Sequence, residues 1–300
     1  FFGVRSMPQV NTDDAGARVY LVDAATHWLK LGADGFRLDY ANGPSHAFWS
    51  AFRASNRAAK PDSFTVGEIV ETAELQRSYL GRLDGTLDFL LLQQMRAFFA
   101  FDATSASAFD RFLSRHLDYF PDDFVLLSFL DNHDMNRFLW IVRGDVRRLK
   151  LAALCQFTLP YPPIIYYGTE VGLSQRHDLE YPDGSRRMEE SRTPMPWGDD
   201  QDQDLLDFYR VLIAVRRRHP SLWRGERTAL VADEDGLYVV RIEDGGLSAI
   251  VGLNRTPGVR RVDLAAGFDP VVVTDDDVRP DAGGLTLPPF SGALLMDETL

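Results

Sequence analysis

Between residues 17 and 167 the sequence alternates amphipathic helix patterns with short apolar runs, repeating about every 30–40 residues, and this alternation constrains the fold most. Val19, Val22, Ala25 and Leu29 fall near helical spacing in 17–31, which Gly32 stops. The strand candidate 35–39 follows, then a helix over 45–59 with Ser45 placed as its N-cap and Pro61 ending it. Next come a β-rich run at 64–66, a short helix over 72–80 and a weaker strand at 86–90. Helical patterns continue to Phe101 and over 106–119; a strand at 125–130, a helix over 145–159 and a β-branched and aromatic run at 164–167 complete the series. Strand alternating with helix predicts a parallel sheet with helical crossovers. It gives five βα units whose strands end near Asp39, Glu68, Phe89, Leu130 and Tyr167, in either an open doubly wound sheet or a barrel.

After Gly168 a polar loop runs to Trp197, and a helix over 205–218 ends in Arg216-Arg217-Arg218, a charge order that suits its dipole. From Arg227 the character changes. Runs at 228–231, 237–242, 249–253, 259–264, 271–274 and 292–296 alternate with Asp/Gly/Pro turns, predicting a small antiparallel β-sandwich. The expected domains are residues 1–222 and 223–300.

Several classes of function are disfavoured. No apolar run approaches the roughly 18–20 residues of a membrane span, so no membrane partner is expected. The net charge of −12 argues against nucleic acid as a partner. Cys155 is the only cysteine, so neither an intrachain disulfide nor a cysteine-based metal site can form, and an inert buried thiol is expected. The Asn254-Arg255-Thr256 sequon reads as chance; nothing else suggests secretion, and the cytoplasm is the expected compartment.

Three strand ends carry acidic groups. In Gly35-Phe36-Arg37-Leu38-Asp39, alternation puts Arg37 and Asp39 on one face, an arrangement that keeps a carboxylate ionised for nucleophilic work. In Val66-Gly67-Glu68 an apolar strand delivers a glutamate after a glycine that allows close approach, a setting in which a general acid can be partly desolvated. Taken alone, the first is better read as a structural ion pair and the second as an exposed loop glutamate. The third, Phe129-Leu130-Asp131-Asn132-His133-Asp134, packs four polar groups at a strand end. An Asx turn is one alternative for it. A metal site on His133 and Asp134 is another, disfavoured because no second His or Cys cluster has suitable spacing. Together the three point to the ligand-binding, C-terminal end of parallel strands.

These segments, in this order, resemble the strand-end motifs of the α-amylase family: 35–39 the fourth strand, 66–68 the fifth and 129–134 the seventh. Met7-Pro8-Gln9-Val10-Asn11 is similar to a segment before the third barrel helix, 164–172 to the eighth strand and its turn, and 192–197 to an Arg-x-Pro-Met-x-Trp stretch. The resemblance covers essentially the whole chain. It implies the last five βα units (strands four to eight) of a TIM (β/α)8 barrel followed by the β-sandwich. It also implies a retaining hydrolase of α-glucosidic bonds in α-glucans, maltooligosaccharides or cyclodextrins, with Asp39 as nucleophile and Glu68 as general acid/base. Asp134 would hold hydroxyls of the scissile sugar; Arg37 and His133 would assist at Asp39 and at the sugar. A transglycosylase or isomerase using the same covalent intermediate is the alternative, and a non-catalytic relative fits less well because all three carboxylates are present.

Departures from the family pattern matter. After the nucleophile many α-amylases have Lys-His, whereas here the stretch is Tyr40-Ala41-Asn42-Gly43. A calcium site using that histidine's carbonyl is therefore not supported, and no cofactor is expected. Asn42 and 7–11 look more like the cyclomaltodextrinase, neopullulanase and maltogenic amylase branch, and 192–197 is similar to oligosaccharide α-glucosidases. A barrel of this kind needs about 250 residues, so the chain, which starts at Phe1, is expected to be an N-terminally truncated piece. Five strands of an open barrel would expose two sheet edges, so the piece alone is expected to be poorly soluble or inactive.

Overall fold

The computed structural model describes residues 5–281 and 283–297, which divide into two compact units. The first runs through Leu90 and includes Phe120–Leu127; the second holds Leu91–Tyr119 and the chain from Ser128 onward.

The first unit is a parallel sheet with its helices. α1 (Ala15–Lys30) is capped by Asp14, which accepts from Ala17 N at 2.9 Å, and α2 (His46–Ala59) by Ser45, which accepts from Phe48 N at 3.2 Å. Each cap satisfies an N–H that the first turn leaves without a helical partner. β1 (Gly35–Leu38), β2 (Phe64–Gly67), β3 (Gly85–Leu87) and β4 (Val125–Leu127) pair in sequence order, all parallel, with the short α3 (Ala73–Arg77) between β2 and β3. α2 buries Phe48, Trp49, Phe52 and Asn56, and Phe36 of β1 meets Phe52 edge-on at 5.9 Å. Asp84 ties the helix to the sheet. Its Oδ1 accepts from Arg53 Nη2 at 2.9 Å and Arg57 Nη2 at 2.8 Å, and its Oδ2 from the Thr65 amide at 2.8 Å and hydroxyl at 2.9 Å. Burial alone would push this carboxyl up, but the hydrogen bonds from Arg57, Thr65 and Arg53 outweigh it and hold Asp84 below the usual carboxylate range.

The chain enters the second unit within α4 (Phe89–Phe99), followed by α5 (Ala106–Tyr119), the short α6 (Phe138–Ile141), α7 (Val146–Phe157) and α8 (Gln203–Arg218). α7 starts at Asp145, whose side chain caps Arg147 N, and buries eight of its twelve residues, so it is a core helix rather than an amphipathic one. Cys155 sits there, its thiol pushed up to about 12 by burial and therefore inert. Antiparallel strands β5 (Glu226–Ala232), β6 (Leu237–Asp244), β7 (Leu247–Asn254), β12 (Ser291–Asp297) and β9 (Asp269–Val273) form one sheet in that spatial order. β10 (Arg279–Asp281), β11 (Gly284–Leu287) and β8 (Arg260–Asp263) form a second. The two-residue period splits each central strand between two cores. Leu237, Val239, Ala293 and Leu295 pack with Val262, Leu285 and Leu287 of the smaller sheet, whereas Tyr238, Val240, Ile242, Leu294 and Met296 pack with α4, α5, α7 and α8.

One expected strand is corrected. The run at 164–167 forms no strand: the only ladder contact there is a parallel bridge between Ser128 and Pro163, with Ile164 N donating to Ser128 O at 2.7 Å. Pro160, Pro162 and Pro163 supply no N–H, so the ladder cannot extend back. Gln156 Nε2 bonds both Ser128 O and Ile164 O and takes over part of the pairing. No helix among the described residues is long and apolar enough to cross a membrane.

Candidate active site

In the first unit the ends of β1 and β2 converge on one guanidinium. Arg37 Nη1 lies 2.5 Å from Asp39 Oδ1 and Arg37 Nη2 2.7 Å from Glu68 Oε1, so a single rigid fork holds both carboxylates. The parallel pairing of Leu38 with Gly67 sets this up by bringing the two strand ends level. A Cβ on Gly67 would come within 2.7 Å of Leu83 Cδ1, so the glycine is what lets the strand pack there. Tyr40 N reaches Glu68 Oε2 at 3.3 Å, and Ala41 N and Glu68 N close backbone bonds across the two ends. Tyr40 itself holds φ +43°, a left-handed conformation uncommon outside glycine and frequent at functional sites. The two carboxylates differ in setting: the Asp39 side chain is 74% exposed, that of Glu68 13%. The group expected to act as an acid is the more enclosed of the pair.

Asp134 and His133 lie in the second unit, close to each other, with His133 Nε2 3.3 Å from Asp134 Oδ2. An Asx turn is present here as well, since Asn132 Oδ1 accepts from Asp134 N at 2.8 Å. The loop after Gly168 folds back on this segment. Arg192 Nη2 pairs with Asp134 Oδ1 at 2.7 Å, Arg192 Nε and Ser191 Oγ both donate to His133 O, and Arg186 Nη2 donates to Asp134 O. Arg37, Asp39 and Glu68 are thus brought together in one unit, and His133 and Asp134 in the other. Among the described residues no three His, Cys, Asp or Glu side chains are grouped to hold a metal ion. The Gly43 carbonyl accepts a hydrogen bond from Gln9 Nε2 at 2.9 Å.

Sequence reasoning missed the residues behind Asp134. Arg137 is fully buried, with its guanidinium 4.0 Å from the Tyr166 ring centre and 4.7 Å from that of Tyr167. It donates to Ser191 O and Tyr167 O and so fixes the segment that carries Arg192. Burial pushes Tyr166 up to about 12, which keeps its hydroxyl protonated. Asp131, completely enclosed, accepts from Phe138 N and the Thr169 hydroxyl; burial raises it against the pull of those donors and of Arg137 and Arg96. The one sequence signal for Arg192 was its place in the 192–197 motif; Arg137 had none beyond its closeness to Asp134.

Comparison with known proteins points to one family. The family model described as the α-amylase catalytic domain matches residues 1–204. An enzyme named α-amylase 2 from Dictyoglomus thermophilum is 40% identical over 257 residues, 81% of this chain and 45% of that protein. Neopullulanase 2 from Thermoactinomyces vulgaris is 32% identical over 305 residues, 97% of this chain and 50% of that protein. Among solved structures, a cyclic α-maltosyl-(1→6)-maltose hydrolase from Arthrobacter globiformis superposes with a TM-score of 0.80 at 29% identity, covering 96% of this chain and 61% of its own. The chain spans about half the length of the curated relatives it matches. Its fold is accordingly that of their barrel type with a C-terminal antiparallel sheet region. The match runs through both groups of acidic residues and on to the helix that follows the Arg192 loop, and so the chain belongs to the α-amylase family.

Proposed function

We propose that this chain carries the catalytic side chains of a retaining hydrolase of α-glucosidic bonds, acting on short or cyclic α-glucans. The observation that carries the reading is the single guanidinium of Arg37 shared by Asp39 and Glu68. A retaining glycosidase works with two carboxyl groups about 5–5.5 Å apart, and groups held by one fork are on that scale. Asp39 attacks the anomeric carbon as the bond to the glycosidic oxygen breaks, and Glu68 gives its proton to that leaving oxygen. Water then adds to the anomeric carbon, passes a proton to Glu68 and releases Asp39, so the configuration is retained. Asp134, oriented by Arg192, accepts hydrogen bonds from hydroxyls of the reacting sugar, and His133 binds a hydroxyl beside it. These steps use side chains alone.

In the barrel order of the family we read β1 to β4 and the Pro163 bridge as strands four to eight, with the catalytic part ending near residue 222 and the β region following. The relatives' names, a neopullulanase and a hydrolase of a cyclic α-maltosyl-(1→6)-maltose among them, favour maltose-based and cyclic α-glucans as substrates. The test is covalent trapping with a fluorinated glucosyl fluoride, which forms the intermediate faster than water removes it. Mass spectrometry of the protein carrying this chain should find the glucosyl label on Asp39; a label on any other carboxylate, or none with turnover intact, overturns the assignment. Products from maltotriose read the fate of the intermediate: glucose and maltose mark capture by water, longer oligosaccharides capture by sugar.

A further inference from the structure

Glu180 bridges Arg186 across the loop between Gly172 and Arg192, and this loop carries Arg186 and Arg192 to Asp134. Its tip is a local turn. Tyr181 N donates to Ser185 O and Gly184 N to Tyr181 O, each at 2.9 Å, and the Arg187 guanidinium lies 4.2 Å from the Tyr181 ring centre. Such contacts order the tip but leave its direction to whatever holds the base.

Glu190 stands at the base. Its Oε2 accepts from the amides of Arg176 at 3.2 Å and His177 at 3.1 Å, and its Oε1 lies 3.1 Å from His177 Nδ1. One carboxylate thus spans both legs of the loop. The Glu190 side chain is 16% exposed and that of His177 61%, so the imidazole lies on the solvent side of the carboxylate. The His177 contact, and behind it the two amides, hold this carboxyl below the usual range against its burial, so it stays an ionised acceptor near neutrality.

The first leg has an anchor of its own. Gln175 Nε2 donates to His177 O at 2.7 Å, and buried Gln175 accepts from Arg137 N at 2.7 Å. Glu190 passes that anchorage to the second leg, where the next two residues reach the sugar-binding pair. Ser191 Oγ and Arg192 Nε donate to His133 O at 3.0 and 2.9 Å, and Arg192 Nη2 pairs with Asp134 Oδ1 at 2.7 Å. The adjacent Glu189 is exposed to solvent.

We infer that Glu190 is a positioning residue for the reaction: by clamping residues 176–177 it sets Arg192 against Asp134, a role that rests on the reading of Asp134 given above. Hydrogen bonds to the reacting sugar strengthen as the ring distorts toward the transition state, so a displaced Asp134 costs turnover more than binding.

The test uses the protein carrying this chain and compares Glu190→Ala, Glu190→Gln and, as a control removing the same charge next door, Glu189→Ala. Maltotriose turnover is counted per molecule that takes the glucosyl label, which keeps any misfolded fraction out of the rate. Glu190→Ala should lower kcat by about 10–100-fold, the scale of a small misplacement made away from the chemistry, with KM moving less. Glu190→Gln keeps an oxygen for the two amides and should recover most of the loss, and Glu189→Ala should match the unsubstituted protein. Amide hydrogen exchange supplies a readout without substrate: residues 186–192 should exchange faster in Glu190→Ala but not in Glu190→Gln. Unchanged exchange in Glu190→Ala, or an equal loss of kcat in Glu189→Ala, overturns the positioning role. If the unsubstituted protein takes no label and cleaves no maltotriose, the catalytic reading fails; if it turns over and Glu190→Ala keeps pace with it, only the role of Glu190 fails.

Discussion

A lysine at position 37 would carry the same charge as Arg37 but could not hold Asp39 and Glu68 together, because one ammonium replaces the two-pronged fork. Arg37→Lys is therefore expected to lower kcat by about 10–100-fold, about 1.4–2.7 kcal/mol of transition-state energy, with a smaller change in KM. Steady-state kinetics on maltotriose check this, and an unchanged kcat would show that the shared fork is not what aligns the pair. Asp84 offers a test in the folding of the first unit. Its carboxyl is held below the usual range, so its contribution is present above the ordinary aspartate value of about 3.9 and fades as the pH falls below it toward the depressed one. Asp84→Asn should flatten that acid-side loss of stability in pH-dependent unfolding; equal slopes would count against it. Asp39 and Glu68 could be singled out in the sequence as a candidate pair because they stand in one order with Asp134 at strand ends that resemble the family's motifs; strand alternation and a preceding glycine alone fit structural roles better. The pairing of Arg192 with Asp134 and the contacts of Arg137 could not be read there, since their partners lie across a long loop whose path no local pattern fixes.

At the scale of elements, helix starts were the most readable feature. Ser45 and Asp145 stand where the sequence puts them, each capping an N–H two or three residues on. Starts that depend on distant groups were not: α6 begins where buried Asp131 accepts from Phe138 N, a tertiary event with no capping signature before the helix. β10 and β11 are short, β10 contains Pro280, and both exist through pairing: β10 with β11, and β11 in turn with β8. The end of α7 is closed by a device of the same long-range kind. Arg216 of α8 donates to the carbonyls of Phe157, Leu159, Pro160 and Tyr161, and burial pulls it down to about 10 without discharging it near neutrality. Arg216→Met should cost about 2–4 kcal/mol, since buried acceptors lose their donor. Thermal unfolding reads that as a lowered Tm, and a loss below about 0.5 kcal/mol would mean that water serves those carbonyls equally well.

Taken as a whole, the order of parts was legible: parallel strand and helix first, antiparallel strands after. The alternation of two periods, one near 3.6 and one of 2, survives averaging over many residues, which is why it outlasts errors at single boundaries. The exception, around Pro163, is the place where backbone donors run out. The central strands β6, β7 and β12 show what the shorter period does when both faces are covered, for each successive side chain belongs to a different core. Where both faces are covered few positions are neutral, so changes in length fall most easily at the bends. Gly245 and Gly246, both with positive φ, join β6 to β7 there, and nothing lies within 4 Å of where a side chain on Gly245 would begin. Changes in length between this chain and its kin in this region belong at that corner, where history can lengthen the chain without disturbing what the strands hold in common.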